Sequence, residues 1–203
     1  MGPTDRDVSY LFALVSQALA RSTEALLVGD REAAGRVVAM DESIDTLCAE
    51  LNRRIWEELD ILAGANNRLK RLVGVLSLLG ELERSADLAA HIAQRAATDI
   101  GSDMSAVSRG VVQRMSDVAL EMWHDAAHSY LGPVLAASEL DEADEELDIL
   151  LERLTDEVAS SAMPASIAAQ VTLLGRFYER LGDHAVNLAR RIELLAVSDP
   201  GEG

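Results

Sequence analysis

Four pairs of acidic residues, each with members four positions apart, are the part of this sequence best suited to chemistry. In a helix, side chains four positions apart lie one turn apart on the same side. Two carboxylates so placed repel each other unless they are protonated or bridged by a cation. Carboxylate oxygens are hard ligands for Mg, Mn, Ca or Fe, and several can share a cluster of ions. The pairs are Asp41 with Asp45, Glu83 with Asp87, Asp144 with Asp148, and Glu179 with Asp183.

These pairs stand at matching places in the two halves of the chain. Asp41–Asp45 aligns with Asp144–Asp148 at an offset of 103 residues. Glu83–Asp87 aligns with Glu179–Asp183 at an offset of 96 residues. A chain with 35 Asp and Glu residues holds such pairs by chance, so the correspondence, and not the count, predicts a metal site. Further pairs with this spacing are interpreted as solvated faces: Asp117/Glu121, Asp141/Glu145 and Glu152/Asp156.

An all-α fold of two tandem three-helix bundles, related by internal duplication, would position these acids. The apolar periodicity predicts six long helices, over about 4–28, 30–62, 68–97, 103–131, 133–159 and 165–198. The first repeat spans 1–99 and the second 103–197, with Asp99 to Asp103 as the link. Because the second and third helices of each half should run antiparallel, one acidic pair from each can converge on one surface.

Turn residues set the predicted boundaries. Gly29 suits the end of the first helix, and Asp30 suits the cap of the second. Gly132 is expected to end the fourth helix, and Pro133 to begin the fifth. The sixth helix should begin after Pro164 and bury one apolar stripe. That stripe consists of Leu174, Phe177, Leu181, Ala185, Leu188 and Ile192.

Composition limits the function classes. Aromatic residues make up 3% of the chain, which favours helix packing, and a net charge of −17 argues against nucleic-acid binding. Cys48 is the single cysteine, so we expect no disulfide framework and a small core residue. The N-terminus does not resemble a signal peptide, and we find no apolar run near the roughly 20 residues that span a bilayer. We therefore expect a cytoplasmic protein that meets membranes through a partner.

Two other function classes stay open at this point. Glu121, His124, Asp125 and His128 share one helical face, and Glu-x-x-His is half of a di-iron carboxylate signature. That signature needs a second copy, and the aligned first-half residues do not supply it: Ala18, Arg21, Ser22 and Ala25. The chain could thus be a di-metal carboxylate enzyme or a metal-free helical scaffold. We find no nucleophilic triad and no Gly-rich phosphate loop, so we expect no enzyme.

The stretch from Tyr178 to Ala189, YERLGDHAVNLA, resembles the signature of the PhoU family of phosphate-uptake regulators. In this stretch Glu179 lies four residues before Asp183, and Gly182 directly precedes Asp183. Asn187 lies four residues after Asp183. The resemblance implies multinuclear metal clusters on the bundle surface. Fe, Mg, Mn and Zn are the candidate metals, and the sequence does not identify which is bound. It implies a negative regulator that restrains the phosphate ABC transporter and keeps its sensor histidine kinase inhibited when phosphate is ample. Exposed apolar residues on long helices favour a homodimer.

The first repeat departs from that signature. His91 stands where the second repeat has Asn187, and Ala86 stands where it has Gly182. A His ligand would suit softer metals, so the two sites could differ in metal preference; the alternative is a His that hydrogen-bonds at the helix surface. Arg84 and Arg180 occupy matching positions, either as partners that orient the ligand carboxylates or as ordinary surface ion pairs.

Overall fold

The computed structural model of the chain describes residues 2–62 and 67–198, which form helices and no strand. Six helices are long and one is short. They are α1 (Pro3–Val28), α2 (Arg31–Ile61), α3 (Asn67–Ala97), α4 (Ile100–Asp103), α5 (Ala106–Leu131), α6 (Asp141–Ser160) and α7 (Ala165–Ser198). The predicted all-α fold of two three-helix bundles is confirmed: α1, α2 and α3 pack together, and so do α5, α6 and α7.

Local signals account for several helix ends. Gly29 ends α1 in a left-handed conformation, at φ 79°, which glycine adopts without steric cost. Asp30 caps α2, since its carboxylate accepts a 2.9 Å hydrogen bond from the Ala33 N–H. Ser105 caps α5 in the same way through the Ser108 N–H at 3.0 Å. The predicted break between the second and third helices, residues 63–67, lies outside the described residues except for Asn67, where α3 begins.

The start of the fifth long helix was predicted wrongly. Residues 133–136 are not helical, a 3-10 turn covers Ala137–Leu140, and α6 begins only at Asp141. Side-chain oxygens satisfy the backbone here in place of a helix: Ser129 Oγ accepts from the Leu135 N–H at 2.8 Å. Glu193 of α7 accepts from the Ala137 N–H at 3.0 Å, a tertiary contact that sequence periodicity does not reveal.

The predicted link between the repeats is an ordered connection. It contains the short helix α4, so α5 starts at Ala106 instead of Asp103. The Arg109 guanidinium donates to the Gly101 carbonyl at 2.6 Å and also to the Leu27 carbonyl. This arginine fastens the connection to the end of α1.

The bundles meet where α3 packs on α7 and α1 packs on α5. A buried chain of hydroxyl groups crosses this junction. Thr23 of α1 lies 2.9 Å from the hydroxyl of Tyr178 on α7, and Ser116 of α5 donates to Thr23 at 2.9 Å. Tyr178 is fully buried, and the hydrogen bond with Thr23 offsets the free-energy cost of removing its hydroxyl from water. One continuous apolar core fills the rest of both bundles.

Helix α1 qualifies the expectation that the chain has no apolar run near the length that spans a bilayer. By length and composition only, it is apolar enough to cross a membrane, although half of its most apolar window is buried within the fold. A core helix of a globular protein passes the same test, and the packing of α1 against α3 and α5 gives it that role here.

Candidate metal centre

The first carboxylate cluster forms between α2 and α3. Asp41, Asp45 and Asp87 each offer an oxygen within 4.8 Å of the other two. Packing explains the arrangement, because Asp41 stands one turn before Ile44 on the buried stripe of α2, and Asp87 stands one turn before Ala90 on that of α3. Burying those stripes against each other brings the acids at their edges together.

The electrostatics of the first cluster are unfavourable in the absence of a cation. Burial, followed by repulsion from Asp45, Asp87 and Glu83, raises the pKa of Asp41 to about 6. Burial also raises the pKa of Asp45, and repulsion from Asp87 and Glu42 adds to that shift. Oδ1 of Asp41 is buried without a hydrogen-bond partner. Glu83 is exposed and acts on Asp41 by charge, but it does not belong to the set of three oxygens within 4.8 Å.

The second cluster forms between α6 and α7 at the matching place. Burial, then Asp183 and Asp148, raises the pKa of Asp144. Burial also raises the pKa of Glu179, with Arg176 opposing the shift and Asp183 and Asp148 adding to it. Oε2 of Glu179 is buried without a hydrogen-bond partner. All four acids of this repeat therefore lie close enough to interact electrostatically.

The second cluster is looser than the first. Within residues 2–62 and 67–198, only the first cluster brings three carboxylates within 4.8 Å of one another. The second cluster also has a basic neighbour, because the Arg176 guanidinium lies 3.4 Å from Glu179 and offsets part of the charge of that carboxylate. Sequence reasoning did not consider Arg176, although it stands three residues before Glu179 on the same helix face.

The donor set fits hard cations. Each cluster holds one buried carboxylate oxygen that lacks a hydrogen-bond partner, on Asp41 and on Glu179. Such an orphan oxygen is costly unless a cation or a proton compensates it. Asp87 and Asp183 are exposed, so the clusters lie at the bundle surface and not in a water-excluded core. That position does not suit the alternative of a di-metal oxygenase buried between helices.

Three other predicted candidates lie elsewhere. The His91 ring stacks on Phe177 with centroids 5.5 Å apart, outside the set of carboxylates. Arg84 pairs with Glu81 at 2.8 Å, so its contact is with an acid outside the predicted ligands. Arg180 is exposed and favours ionisation of Glu179 by charge alone.

The di-iron-like residues on α5 are all exposed: Glu121, His124, Asp125 and His128. In the described part of the chain they do not form a group of three convergent ligands. Cys48 is 3% exposed, and burial, with Glu83 and Asp45 nearby, raises its pKa to about 12. Its thiol therefore belongs to the core, as expected.

An ionic network centred on the buried Glu81, between α3 and α7, was missed by sequence reasoning. The Glu81 side chain is 4% exposed and accepts hydrogen bonds from Arg191 at 2.9 Å, with Arg84 at 2.8 Å. His184 joins them, with Nε2 at 4.0 Å from Glu81 and Nδ1 at 2.8 Å from Ser85 Oγ. Burial lowers the pKa of His184, and Glu81 opposes that shift. The available signal was an acid inside the apolar stripe of α3, next to Leu78 and Leu82.

Comparisons with known proteins place this arrangement in a family. The model of the PhoU domain matches residues 8–96 and 112–192. The "Phosphate-specific transport system accessory protein PhoU homolog 2" of Mycobacterium tuberculosis is 32% identical over 184 residues, covering 88% of this chain and 86% of the relative. The "PhoU homolog 1" of Mycobacterium leprae is 30% identical over 190 residues, covering 91% and 85%. These names denote accessory proteins and not enzymes, which agrees with the prediction that the chain is not an enzyme.

Solved structures agree on the fold. The crystal structure of PhoU from Pseudomonas aeruginosa has a TM-score of 0.87 at 20% identity, covering 97% of this chain and 96% of the other. That of the phosphate transport system regulatory protein PhoU from Streptococcus pneumoniae has a TM-score of 0.80 at 19% identity, covering 98% and 96%. With the family match over both repeats and 32% identity to a curated relative, the chain belongs to the PhoU family.

Proposed function

We propose that the chain is a metal-binding negative regulator of phosphate uptake and phosphate signalling, an adaptor between the phosphate ABC transporter and its sensor histidine kinase. Family membership and the names of its relatives, accessory proteins of a phosphate-specific transport system, support the transport role. The acidic clusters support the metal role. Its protein partners would bind the face of the bundle that carries the metal ions.

The observation that carries the metal assignment is the convergence of Asp41, Asp45 and Asp87. Three like charges there, with the pKa of Asp41 raised to about 6, are tolerable at neutral pH when a cation neutralises them. Bound ions would supply positive charge and fix the carboxylates for a partner to recognise. The residues assigned to hold them are Asp41, Asp45, Glu83, Asp87, Asp144, Asp148, Glu179 and Asp183. Iron, Mg, Mn and Zn are the candidate metals.

We also propose a cytoplasmic protein that reaches the inner membrane through its partners and forms a homodimer. The charge of −17 disfavours direct contact with an anionic membrane surface. Apolar side chains near the ends of long helices favour a protein contact: Val28 is 75% exposed, Ile61 84% and Val197 80%.

A pull-down from extracts of its own cells, grown at high and at low phosphate, tests this function. We expect components of a phosphate transporter and a histidine kinase among the captured proteins, in amounts that change with phosphate, and metal in the same sample. The variant Asp41→Asn, Asp45→Asn, Asp87→Asn should lose first-cluster metal and bind the partners less. Capture of neither partner at either phosphate level would contradict the adaptor role, and unchanged metal in the variant would contradict the metal site.

A further inference from the structure

Arg95 is a cation without a matching anion, in a chain that carries 35 acids and 18 basic residues. Its guanidinium lies 4.6 Å from the centre of the Phe177 ring, and one terminal nitrogen donates to the His91 carbonyl at 2.9 Å. Nε is buried without a hydrogen-bond partner. Among residues 2–62 and 67–198, no carboxylate lies within ion-pair distance of this arginine.

The duplication shows what this position lacks. At the offset of 96 residues that relates the third helices of the repeats, Arg95 corresponds to Arg191, and Phe177 corresponds to Glu81. At one end of the α3–α7 contact, Arg191 therefore meets the carboxylate of Glu81 at 2.9 Å. At the other end, Arg95 meets an aromatic ring where its counterpart meets an acid. Burial without a carboxylate lowers the pKa of Arg95, a direction that marks uncompensated charge.

A surface cavity of about 430 Å³ lies beside Arg95, between the end of α3 and the start of α7. Its wall combines this arginine with neutral hydrogen-bonding side chains and two isoleucines: Gln94, Arg95, Thr98, Ile100, Ser166, Ile167 and Gln170. No acid lines it. By contrast, the cavity that holds Arg21 and Arg36 also holds Glu24 and Asp30, which neutralise it.

We propose that this cavity binds a tetrahedral oxyanion, inorganic phosphate or an ion of the same shape and charge, with Arg95 as the countercharge. Arginine suits this ligand because its planar guanidinium matches the oxygens of phosphate. Gln94, Thr98, Ser166 and Gln170 carry N–H or O–H groups that can donate to the remaining oxygens. The site is separate from the carboxylate clusters and goes beyond the proposed function, since it needs no metal. The strongly negative chain makes the affinity weak and dependent on ionic strength.

Titration of inorganic phosphate into the chelator-treated full chain, at constant ionic strength held by chloride, tests the proposal. The chelator removes metal-bound phosphate as an explanation. We expect saturable changes in the backbone amide NMR signals of residues 94–98 and 166–170. Sulfate should produce the same changes, because shape and charge define the ligand. Adenosine monophosphate as a third titrant distinguishes free phosphate from a phosphate monoester, by whether it binds more tightly than phosphate.

Two variants and a control complete the test. Arg95→Gln should weaken binding by roughly tenfold or more, because a charge-assisted hydrogen bond is lost. Phe177→Glu should weaken binding as well, by giving Arg95 the internal carboxylate that Arg191 already has. Arg36→Gln, which removes an arginine from an exposed ion pair, should bind as the parent does. Signals that shift without saturation, or away from these residues, mean an adventitious ion only and overturn the proposal. Parent-like binding by a folded Arg95→Gln chain overturns it as well.

Discussion

At the scale of the residue, the informative carboxyl groups are those that burial and neighbouring acids hold in an unfavourable charged state. The pKa of Asp41 rises from its ordinary value of 3.8 to about 6, with burial as the largest cause. Folding therefore increases the proton affinity of this group. A bound cation would relieve the same cost that a proton relieves, so the proposed metal would compete with protons for the cluster.

This competition gives the metal-free protein a distinctive pH dependence. A raised carboxyl pKa means that the folded chain binds more protons than the unfolded chain between 3.8 and about 6. Stability from this group is thus full at lower pH and is lost as pH rises through that window. In chelator near neutral pH, we expect Asp41→Asn to raise Tm by about 1–3 °C, since the side chain is only half-buried. The gain should vanish as pH falls toward 4.

Thermal unfolding followed by circular dichroism across that pH range checks the prediction. Glu50→Gln is the matched control, because Glu50 is an exposed acid of the same helix outside the cluster. It should leave Tm nearly unchanged at every pH. A Tm difference between Asp41→Asn and the parent that grows as pH falls would have the wrong sign for this account.

At the scale of the element, the distance between α6 and α7 determines the geometry of the second cluster. A Cβ on Gly182 would lie 2.4 Å from Cδ1 of Leu147 and 3.3 Å from Oδ1 of Asp144. The missing side chain of Gly182 therefore allows α6 to pack closely on α7 and places Asp144 next to α7. The first repeat has Ala86 at this position, so its two helices pack around one more methyl group.

Two glycine substitutions with opposite expected signs test this point. Gly182→Ala should destabilise the chain by about 1–3 kcal/mol through overpacking, and should weaken metal binding at the second cluster. Gly35→Ala, in the exposed part of α2 where an added Cβ meets nothing within 4 Å, should stabilise it by about 0.5–1 kcal/mol. Urea denaturation of both variants gives the comparison. Stabilisation by Gly182→Ala would show that the close helix approach is not needed.

The elements also show how far the sequence could be interpreted. Repeated apolar stripes predicted the helices. The aligned acidic pairs anticipated the approach of Asp41, Asp45 and Asp87, but not that Glu83 stays outside this set. The start of α6 could not be predicted, because Glu193, far along the chain, takes the N–H of Ala137. Of the two alternatives left open for Arg84, the structure shows the ion pair, and its partner is Glu81, an acid within the apolar stripe of α3. Side-chain contacts of this kind leave little signal in the apolar periodicity of the sequence.

At the scale of the whole molecule, the contact between α3 and α7 joins the repeats and runs between the two carboxylate clusters. Glu81 stands two residues before Glu83, and His184 stands directly after Asp183. Glu81 is buried and His184 is largely buried at this contact, whereas Arg84 and Arg191 are partly exposed, so solvent screens mainly the arginine side of the network. The network connects the helices that carry half of each cluster.

Removing the charge of Glu81, at the centre of this network, should weaken the contact between α3 and α7. Glu81→Gln leaves Arg84 and Arg191 without their carboxylate, and we expect a loss of about 1–3 kcal/mol in unfolding free energy. The control Glu57→Gln breaks an exposed ion pair with Arg53 and should cost less than about 0.5 kcal/mol. Equal effects of the two substitutions in urea denaturation would contradict a structural role for the network.

The central claim, that the paired carboxylates form metal sites, is tested most directly by the change in Tm on chelation. Cations that bind only the folded chain stabilise it by mass action, so chelation should lower the Tm of the parent. A variant with Asp41→Ala, Asp45→Ala, Glu179→Ala and Asp183→Ala should show no response to chelator, while the control Asp117→Ala, Glu121→Ala should respond as the parent does. A cluster variant that loses as much Tm on chelation as the parent would contradict the account.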